Sequence, residues 1–358
     1  MPINRLYDTW QRRIRQLRPN QRITQVRSFA WLVIGIHQSR SVHLSRVAGK
    51  IPGTARLLSV TRRMSRVLGN PAIRVREWYE SIARHWLEEQ LHRIGEIRLI
   101  VDGTKIGFSH QLLIVAIAYR KRAIPIAWTW VKSSRGHSSS HKQMALLAYV
   151  HGLIPKAAGV FLVGDCEFGS IVIMRQLDTW GWFYVLRQKS DTHVWLDEQM
   201  VWRDFGSFVH KPGESIWLGK GYLTEKEIYP THLLAHWKLG EKEPWLLATN
   251  LPDRTLTLQF YKRRTWIEEM FGDIKKHGFD IESTHLRHFL RLSRLTLAVV
   301  LLYIWFVSEG TRTIQAGRRH LVDRNERRDL CIFQIGLRFI DRCLVNSLSF
   351  QIRFCSYR

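Results

Sequence analysis

Two aspartates stand at the ends of apolar runs that have the composition of buried β-strands. Asp102 closes the run LIVD, and Asp165 closes the run FLVGD. The backbone at the end of a buried strand is rigid, so a carboxylate held there is well placed to bind a metal ion. Aspartates also begin turns after strands, and for either residue alone a turn is the simpler interpretation.

A predicted helix with a polar stripe supplies a third carboxylate. The spacing of apolar residues predicts one long helix over residues 256–277. The polar residues at offsets 0, 3, 7 and 14 within it are Tyr261, Arg264, Glu268 and Lys275. At about 100° per residue these offsets place the four side chains on one face. An ordinary amphipathic helix with a solvated polar face has the same spacing, so the pattern alone does not indicate a function.

Other residues that could do chemistry fit less well. Glu269 is turned by about 100° from its neighbour towards another helix face, and Glu167 lies beyond the end of its strand. His137 and His141 stand four residues apart but lack the glutamate of an HExxH zinc site. The segment GKGYLT at 219–224 lacks the spacing of a phosphate-binding loop, so we expect no nucleotide cofactor.

The elements around the aspartates have the order of a mixed sheet. Three successive strands are predicted from the runs IRLIVDG, QLLIVAIAY and AIPIAWTWV, and helices are predicted at 141–151 and 169–180. Two further strands, GVFLVGD and WFYVLR, follow these helices. We expect the first three strands to be antiparallel and the later ones to enter through helical crossovers. This order predicts an α/β fold, a ribonuclease-H-like mixed sheet with flanking helices.

Changes in composition divide the chain into five predicted segments. Strand-like runs with Gly and Pro interrupt the core, and a helical, Arg-rich stretch precedes it. The segments are 1–95, an all-α DNA-binding domain; 96–187, the first part of the ribonuclease-H-like catalytic core; 188–243, a β-rich insertion; 244–310, the second part of the core with the glutamate-bearing helix; and 311–358, a basic C-terminal tail.

The charge of the chain favours a polyanionic partner. It carries 55 Lys and Arg against 30 Asp and Glu, a net charge of +25, and residues 1–95 hold 18 basic against five acidic residues. Such a charge binds phosphates through counterion release, although ribosomal RNA and anionic membranes attract basic proteins too. Residues 41–68 could form a helix-turn-helix with Ser45 or Ser59 near a helix start, or a basic bundle without base readout.

Cysteine usage and hydropathy favour a protein of a reducing cytoplasm. The four cysteines form no CxxC pair and have no histidine at zinc-ligand spacing, so neither a disulfide framework nor a zinc site is predicted. The first residues lack an apolar signal core. The most apolar run, 295–307, is shorter than the roughly 20 residues that span a bilayer. We expect it to be a buried helix, and we expect no membrane partner.

The spacing Y-x2-R-x3-E-x6-K resembles the signature of the bacterial insertion-sequence DDE transposases of the IS-four group, and residues 261–275 match it at every fixed position. VDGT at 101–104 looks like the first-aspartate motif of that group, and DCEFG at 165–169 is similar to its second, D-R-E-F. Cys166 replaces the usual arginine there, which leaves the carboxylates intact. The insertion also falls where the group carries one, and the resemblance covers roughly residues 95–310.

The resemblance implies a site for two-metal phosphoryl transfer. It implies that Asp102, Asp165 and Glu268 are catalytic and bind two Mg²⁺ ions, for which Mn²⁺ could substitute. Tyr261, Arg264 and Lys275 would contact DNA phosphates near the transposon end. The implied activity is cut-and-paste transposition: endonucleolytic cleavage of transposon ends and strand transfer into target DNA.

The resemblance also implies partners. They are double-stranded DNA, as terminal inverted repeats and as target, and a second copy of the chain in a synaptic homodimer at the bacterial nucleoid. Members of the group form a hairpin at the transposon end and hold a flipped base with a tryptophan of the insertion. The candidate tryptophans are Trp195, Trp202, Trp217 and Trp237, and a tryptophan in a β-rich segment is more often part of the core.

Two alternatives remain at the level of sequence. A ribonuclease-H-like nuclease or resolvase shares the metals and the carboxylates but has no need of the Tyr-Arg-Lys stripe. A DNA-binding protein derived from a transposase could have lost catalysis, although an intact acidic triad argues against this.

Overall fold

The computed structural model describes residues 2–107, 109–132, 138–324 and 326–355. The helices are α1 (Pro2–Leu17), α2 (Ile23–Ser39), α3 (Leu44–Ala48), α4 (Leu57–Gly69), α5 (Val75–Ile94), α6 (Ser140–His151), α7 (Ile171–Thr179), α8 (Arg254–Tyr261), α9 (Thr265–Ile274), α10 (Phe289–Gln315) and α11 (Ile332–Val345). The strands are β1 (Glu96–Ile106), β2 (His110–Tyr119), β3 (Arg122–Lys132), β4 (Gly159–Gly164), β5 (Phe183–Arg187), β6 (His193–Trp195), β7 (Trp202–Asp204), β8 (Ser215–Leu223), β9 (Tyr229–His236) and β10 (Trp245–Thr249).

The chain divides into two compact units. The helical unit comprises Met1–Glu89, Lys105–His110 and Met270–Arg358. The sheet unit comprises Gln90–Thr104 and Gln111–Glu269. The architecture is therefore mixed α/β, with helices at both ends of the sequence and the strands between them.

The sheet unit is built on one ten-stranded sheet with the order β3-β2-β1-β4-β5-β10-β9-β8-β6-β7. β4 runs parallel to β1 on one side and to β5 on the other. β10 and β9 continue the sheet as antiparallel strands. The central parallel strands are apolar along most of their length because helices must cover both faces of such a sheet. The five strands and two helices predicted from the apolar runs coincide with β1 to β5, α6 and α7.

The β-rich stretch predicted at 188–243 contributes β6 to β9 to this same sheet. β9 pairs with β10 from His232↔Thr249 to His236↔Trp245, so the stretch extends the core sheet from its antiparallel side. A register shift between Trp217 and Gly219 marks a β-bulge in β8. Bulges of this kind increase the twist of a strand.

Two predictions about the site-bearing elements were wrong. β1 extends to Ile106, so Asp102 lies within the strand and does not close it; β2 remains hydrogen-bonded to β1 on the other side and keeps the backbone extended. The single helix predicted over 256–277 is broken by a 3-10 turn at Lys262–Arg264. A 3-10 turn advances about 120° per residue in place of 100°, which rotates later residues away from a common stripe.

The long helix α10 forms the core of the helical unit. Among the described helices it is the one long and apolar enough to cross a membrane, and 83% of its most apolar window is buried within the protein. α11 crosses it at Gly310 and Gly336, where a Cβ atom would collide with the backbone of the other helix. α11 lies in the segment predicted as a basic tail, and most of its apolar residues are buried in this unit.

The helix-turn-helix interpretation of residues 41–68 needs a correction at the caps. Ser45 lies inside α3, and Ser59 lies inside α4. The residues before these helices are His43 and Arg56, and neither makes a side-chain capping bond. Serine is a favoured N-cap residue, but α3 begins one residue before Ser45 and α4 begins two residues before Ser59.

Candidate active site

Strand register places two acidic residues and one arginine side by side. Val101 pairs with Gly164 at the end of the β1–β4 ladder, and Gly164 pairs with Leu186 at the end of the β4–β5 ladder. The next residues on the three parallel strands are Asp102, Asp165 and Arg187. Parallel strands reach the same edge of a sheet in the same direction, so these side chains meet there.

Arg264 makes an ion pair with each of the three carboxylates predicted to be catalytic. Its Nη1 lies 3.2 Å from Asp102 Oδ2 and 3.9 Å from Asp165 Oδ2. Its Nη2 donates a hydrogen bond to Glu268 Oε1, one helical turn further along the chain. The three acids therefore converge on a single guanidinium within the sheet unit.

The surroundings of Arg264 are electrostatically unusual. Burial raises the pKa of Asp102 to about 7, although Arg264 and the N–H of Gly103, which donates to Asp102 Oδ1 over 2.7 Å, act in the opposite direction. Burial alone would lower the pKa of Arg264, but Tyr261 and the three carboxylates raise it above its usual value. The site thus holds more negative charge than its arginine partner balances.

Arg187 is a site residue that sequence reasoning missed. Its Nη1 lies 3.8 Å from Asp165 Oδ1, and its Nη2 donates to Glu243 Oε2 over 2.8 Å and to the carbonyl of Pro244 over 3.1 Å. Asp165 Oδ1 is buried and has no hydrogen-bond partner among the described residues. The sequence showed only that the predicted strand WFYVLR ends at Arg187; the sheet order shows that this strand lies next to β4, which Asp165 follows.

Tyr261 is buried with an unused hydroxyl group. The side chain is 2% exposed, and its hydroxyl finds no hydrogen-bond partner in the part of the chain that the structure describes. Its ring packs edge-on against Trp245, with 5.0 Å between ring centroids. Burial raises the pKa of Tyr261. The hydroxyl is therefore a neutral donor that no group among the described residues satisfies.

Lys275 is separated from the other signature residues. It follows the end of α9 and belongs to the helical unit. Its Nζ donates to the carbonyl of Lys105 over 3.4 Å and lies 2.9 Å from Glu282 Oε1. The polar stripe predicted on one continuous helix is thus divided between the two units, and only Tyr261, Arg264 and Glu268 are brought together within the sheet unit.

The two carboxylates that fitted the sequence pattern less well, Glu269 and Glu167, have other partners. Glu269 pairs with Arg122 at 3.2 Å. Glu167 accepts hydrogen bonds from the backbone N–H and hydroxyl of Ser138, and from Gln111. These contacts tie the start of α6 to the sheet. His137 lies outside the described residues, and His141 is exposed.

The four candidate tryptophans of residues 188–243 are all half-buried. Trp195 and Trp202 pack against each other at 5.7 Å, and Trp217 stacks on His232. Trp237 donates its indole N–H to the carbonyl of Glu241 over 3.0 Å. Each has a structural contact, so the geometry does not single out one of them.

A cleft of about 490 Å³ opens beside the carboxylates. Its lining includes Trp245, Tyr261 and Glu268, and its cationic groups are Arg187, Lys242 and Arg264. Glu241 and Glu243 line the cleft too, and Glu243 is paired with Arg187. The guanidinium and ammonium groups have the chemistry to hold a phosphate next to Glu268.

The carboxylates have the donor chemistry of a divalent metal site. Within residues 2–107, 109–132, 138–324 and 326–355, no three His, Cys, Asp or Glu side chains stand in an arrangement that could hold a metal ion by themselves. The guanidinium of Arg264 lies between the candidate ligands and bonds to their oxygens. Carboxylate oxygens are the hard ligands that Mg²⁺ and Mn²⁺ prefer. Here they surround the cationic guanidinium, and Asp165 Oδ1 has no hydrogen-bond partner among the described residues. The residues therefore have the donor chemistry for such an ion, while their oxygens are bonded to Arg264 in this arrangement.

Comparisons with known proteins agree with the chemistry of this site. Residues 95–305 match a family model described as the transposase DDE domain. No curated protein matches the chain. One similar solved structure is a cryo-EM structure of a piggyBac transposase synaptic complex with hairpin DNA, with 9% identity and a TM-score of 0.40 over 96% of this chain and 78% of that chain. A likeness at that TM-score supports no inference about this chain.

Proposed function

Because the chain belongs to the family of transposases with a DDE domain, we propose that Asp102, Asp165 and Glu268 are the residues with which it cleaves transposon ends and joins them to target DNA. As a member of this family it is a DNA transposase. Its enzyme class acts on DNA and uses divalent metal ions. We assign to the metal site two Mg²⁺ ions, which Mn²⁺ can replace.

One observation carries this assignment. Three carboxylates from separate parts of the sequence, two of them next to each other in strand register, contact a single cationic group beside a cleft. Structural ion pairs rarely gather three acids around one base, because the uncompensated charge destabilises the fold. Functional sites accept this cost when the charge serves binding or catalysis.

The chain's own residues have distinct roles in this proposal. Asp102, Asp165 and Glu268 would hold the metal ions, which supply an activated oxygen nucleophile and stabilise the leaving 3′ oxygen. Asp102 stands on β1 and Asp165 directly follows β4, so the sheet would fix the carboxylates that position the reacting phosphate. Arg264 and the buried hydroxyl of Tyr261 line the cleft and are available to donate to DNA phosphate oxygens.

The finer classification and assembly are part of the same proposal. We assign the chain to the IS-four group, with a ribonuclease-H-like core formed by 96–187 and 244–310, a β-rich insertion at 188–243, a DNA-binding domain at 1–95 and a basic segment at 311–358. The proposed working form is a homodimer on two terminal inverted repeats. The proposed location is the nucleoid of the bacterial cytoplasm.

The experiment uses the purified full chain and DNA that flanks its own gene, with and without Mg²⁺. We expect metal-dependent cuts at the element ends, with Mn²⁺ able to replace Mg²⁺, and then covalent joining of those ends to a target plasmid. Cleavage without joining would identify a nuclease or resolvase. Binding without cleavage would identify a protein that has lost catalysis, and either result contradicts the proposal.

A further inference from the structure

Arg264 binds the same carboxylate oxygen atoms that a metal ion would need as ligands. Its two terminal nitrogens contact Asp102 Oδ2, Asp165 Oδ2 and Glu268 Oε1. Its side chain is only 13% exposed, as is that of Asp102. A divalent cation binds the same hard oxygens, but with a more compact, near-octahedral arrangement. The guanidinium and the metal therefore compete for the carboxylates by sharing their ligands and by repelling each other.

The guanidinium of Arg264 also has an alternative binding partner, a phosphate in the cleft. Arg264 lines the cleft of about 490 Å³ together with Arg187, Lys242 and Thr265. Its paired N–H donors match a phosphate as well as they match a carboxylate. Glu241, Glu243 and Glu268 line the same cleft, and Arg187 is paired with Glu243. A phosphate that displaces these acids would meet the guanidinium of Arg264, the ammonium of Lys242 and the hydroxyl of Thr265, and it would compete with the carboxylates for Arg264.

The backbone at Arg264 is suited to such a movement. Arg264 is the last residue of the 3-10 turn that separates α8 from α9. Short 3-10 segments between helices often mark hinges. Glu268 lies on the first turn of α9 and is half-exposed, so it can follow a change at the hinge.

We propose that Arg264 is an exchangeable internal counter-cation, which holds the three carboxylates together until a DNA phosphate in the cleft takes over its guanidinium and leaves the acids to the metal. This inference rests on the proposed function, because it assumes that the three carboxylates bind metal. It adds a regulatory role to the site: the chain loads metal efficiently only when DNA is in place.

Linkage makes the inference measurable without catalysis. If DNA removes a competitor from the metal site, then DNA must tighten metal binding, and metal must tighten DNA binding by the same factor. In the absence of Arg264 the competitor is missing from the start. Metal should then bind well to the free protein, and the contribution of Arg264 to the coupling should vanish.

The test measures Mn²⁺ binding by the loss of the EPR signal of free Mn²⁺. The full chain is titrated with and without a duplex of the element end that carries phosphorothioates at the cleavage site. Arg264→Gln should bind Mn²⁺ about tenfold more tightly than wild type without DNA, a typical size for such coupling. The gain in Mn²⁺ affinity caused by DNA should be about tenfold smaller in Arg264→Gln than in wild type.

Arg263→Gln is the matched control. Arg263 belongs to the same 3-10 turn, but its guanidinium lies over the ring of Phe260, 4.9 Å from the centroid. It should leave both Mn²⁺ affinities at the wild-type values. Arg264→Lys keeps the charge but loses the planar pair of donors, so its Mn²⁺ affinity without DNA should lie between those of wild type and Arg264→Gln.

The outcomes separate this inference from the proposed function. Weaker Mn²⁺ binding in Arg264→Gln, or an unchanged effect of DNA, would overturn the inference, because Arg264 would then organise the ligands and not compete for them. Asp102→Asn tests the underlying site: if it binds Mn²⁺ as wild type does, the metal assignment itself fails. If the Gln variant does not fold, the Lys variant decides by the same comparison.

Discussion

Asp341 in the helical unit and Asp102 in the sheet unit each pair with an arginine, yet their electrostatics are opposite. Asp341 accepts from His37 Nε2 over 3.1 Å and pairs with Arg40. Burial alone would raise the pKa of Asp341, but its bonds to His37 and Arg40 lower it below its ordinary value. Burial dominates at Asp102 and raises its pKa to about 7.

The difference lies first in burial, since the side chain of Asp102 is 13% exposed and that of Asp341 is 42% exposed, and second in how many acids share each base. Asp341 is one carboxylate with two donors, which is the arrangement of a structural pair. Asp102 shares the guanidinium of Arg264 with Asp165 and Glu268. A buried group that remains poorly compensated is expected where function requires it, and stability is lost as a result. Mutations at the two aspartates should therefore separate folding from catalysis.

The largest expected effect is the loss of strand cleavage at the sheet-unit site. Asp102→Asn, Asp165→Asn and Glu268→Gln should each lower the cleavage rate at least about a thousandfold, because each removes a charge that the transition state needs. The rate is measured on an end-labelled transposon-end duplex with Mg²⁺. DNA-end affinity should remain within a few-fold of wild type.

The matched controls for this loss are Glu269→Gln and Asp341→Asn. Glu269 adjoins Glu268 but pairs with Arg122, and Asp341 belongs to the helical unit. Both variants should cleave at nearly the wild-type rate per folded molecule. Full activity in any of the three carboxylate variants would remove that residue from the site.

The second expected effect is on stability, where the change at Asp341 should have a larger effect than the change at Asp102. Asp341→Ala should lower the free energy of unfolding by about 1–3 kcal/mol, because His37 and Arg40 lose their acceptor. Asp102→Asn in metal-free protein should leave it unchanged or raise it, because it reduces repulsion among the acids. Urea unfolding with a chelator present measures both. A larger loss in Asp102→Asn than in Asp341→Ala would show that the site is a structural pair after all.

The two aspartates should also give opposite pH dependences. A raised pKa means that folded Asp102 keeps its proton while the unfolded chain has lost it, so its contribution to stability falls as pH rises from about 4 to about 7. The lowered pKa of Asp341 gives stability that is present above about pH 4 and lost as the solution becomes more acidic. Metal-free unfolding of wild type and Asp102→Asn across about pH 4–7 tests the first sign, and unfolding of wild type and Asp341→Asn below about pH 4 tests the second. Parallel wild-type and Asp102→Asn curves would contradict the assignment.

The sequence allowed the sheet to be predicted better than the site. Apolar runs and turn residues located β1 to β5 closely, because buried strands have a strong composition signal. That Asp102 and Asp165 belong to one site was implied by the family resemblance. Arg187 follows from the strand register, but only when the order of the strands is known. Strand order depends on contacts between distant residues, which local patterns do not contain.

The helix-borne part of the site was less predictable for a different reason. A 100° periodicity assumes an unbroken helix, and the 3-10 turn at Lys262–Arg264 interrupts it. The role of Arg264 as partner of three acids depends on side-chain geometry, which the signature spacing does not encode. The burial of Tyr261 was also hidden, since a tyrosine on a polar stripe is expected to be solvated.

A smaller effect is expected at Tyr261, whose hydroxyl has no partner among the described residues. An unsatisfied buried hydroxyl destabilises a fold, so Tyr261→Phe should raise the free energy of unfolding of the DNA-free protein by about 1 kcal/mol. The same change should weaken binding of the transposon end several-fold, because one phosphate donor is lost. Chemical unfolding and fluorescence anisotropy measure the two effects. Lower stability with unchanged DNA affinity would assign the hydroxyl to the fold.

The smallest effect is expected at Lys275, which is paired with Glu282 near the surface of the helical unit. Such a pair contributes less than about 1 kcal/mol to stability, so Lys275→Ala should unfold like wild type. If Lys275 contacts a DNA phosphate, its removal should lower end affinity modestly and reduce the slope of log affinity against log salt by about 1. Lys276→Ala removes the same charge from the next, exposed residue and is the control. Equal slopes for the two variants would mean that Lys275 affects DNA binding only through net charge. Lys275 would then be a structural lysine paired with Glu282 and not a DNA contact.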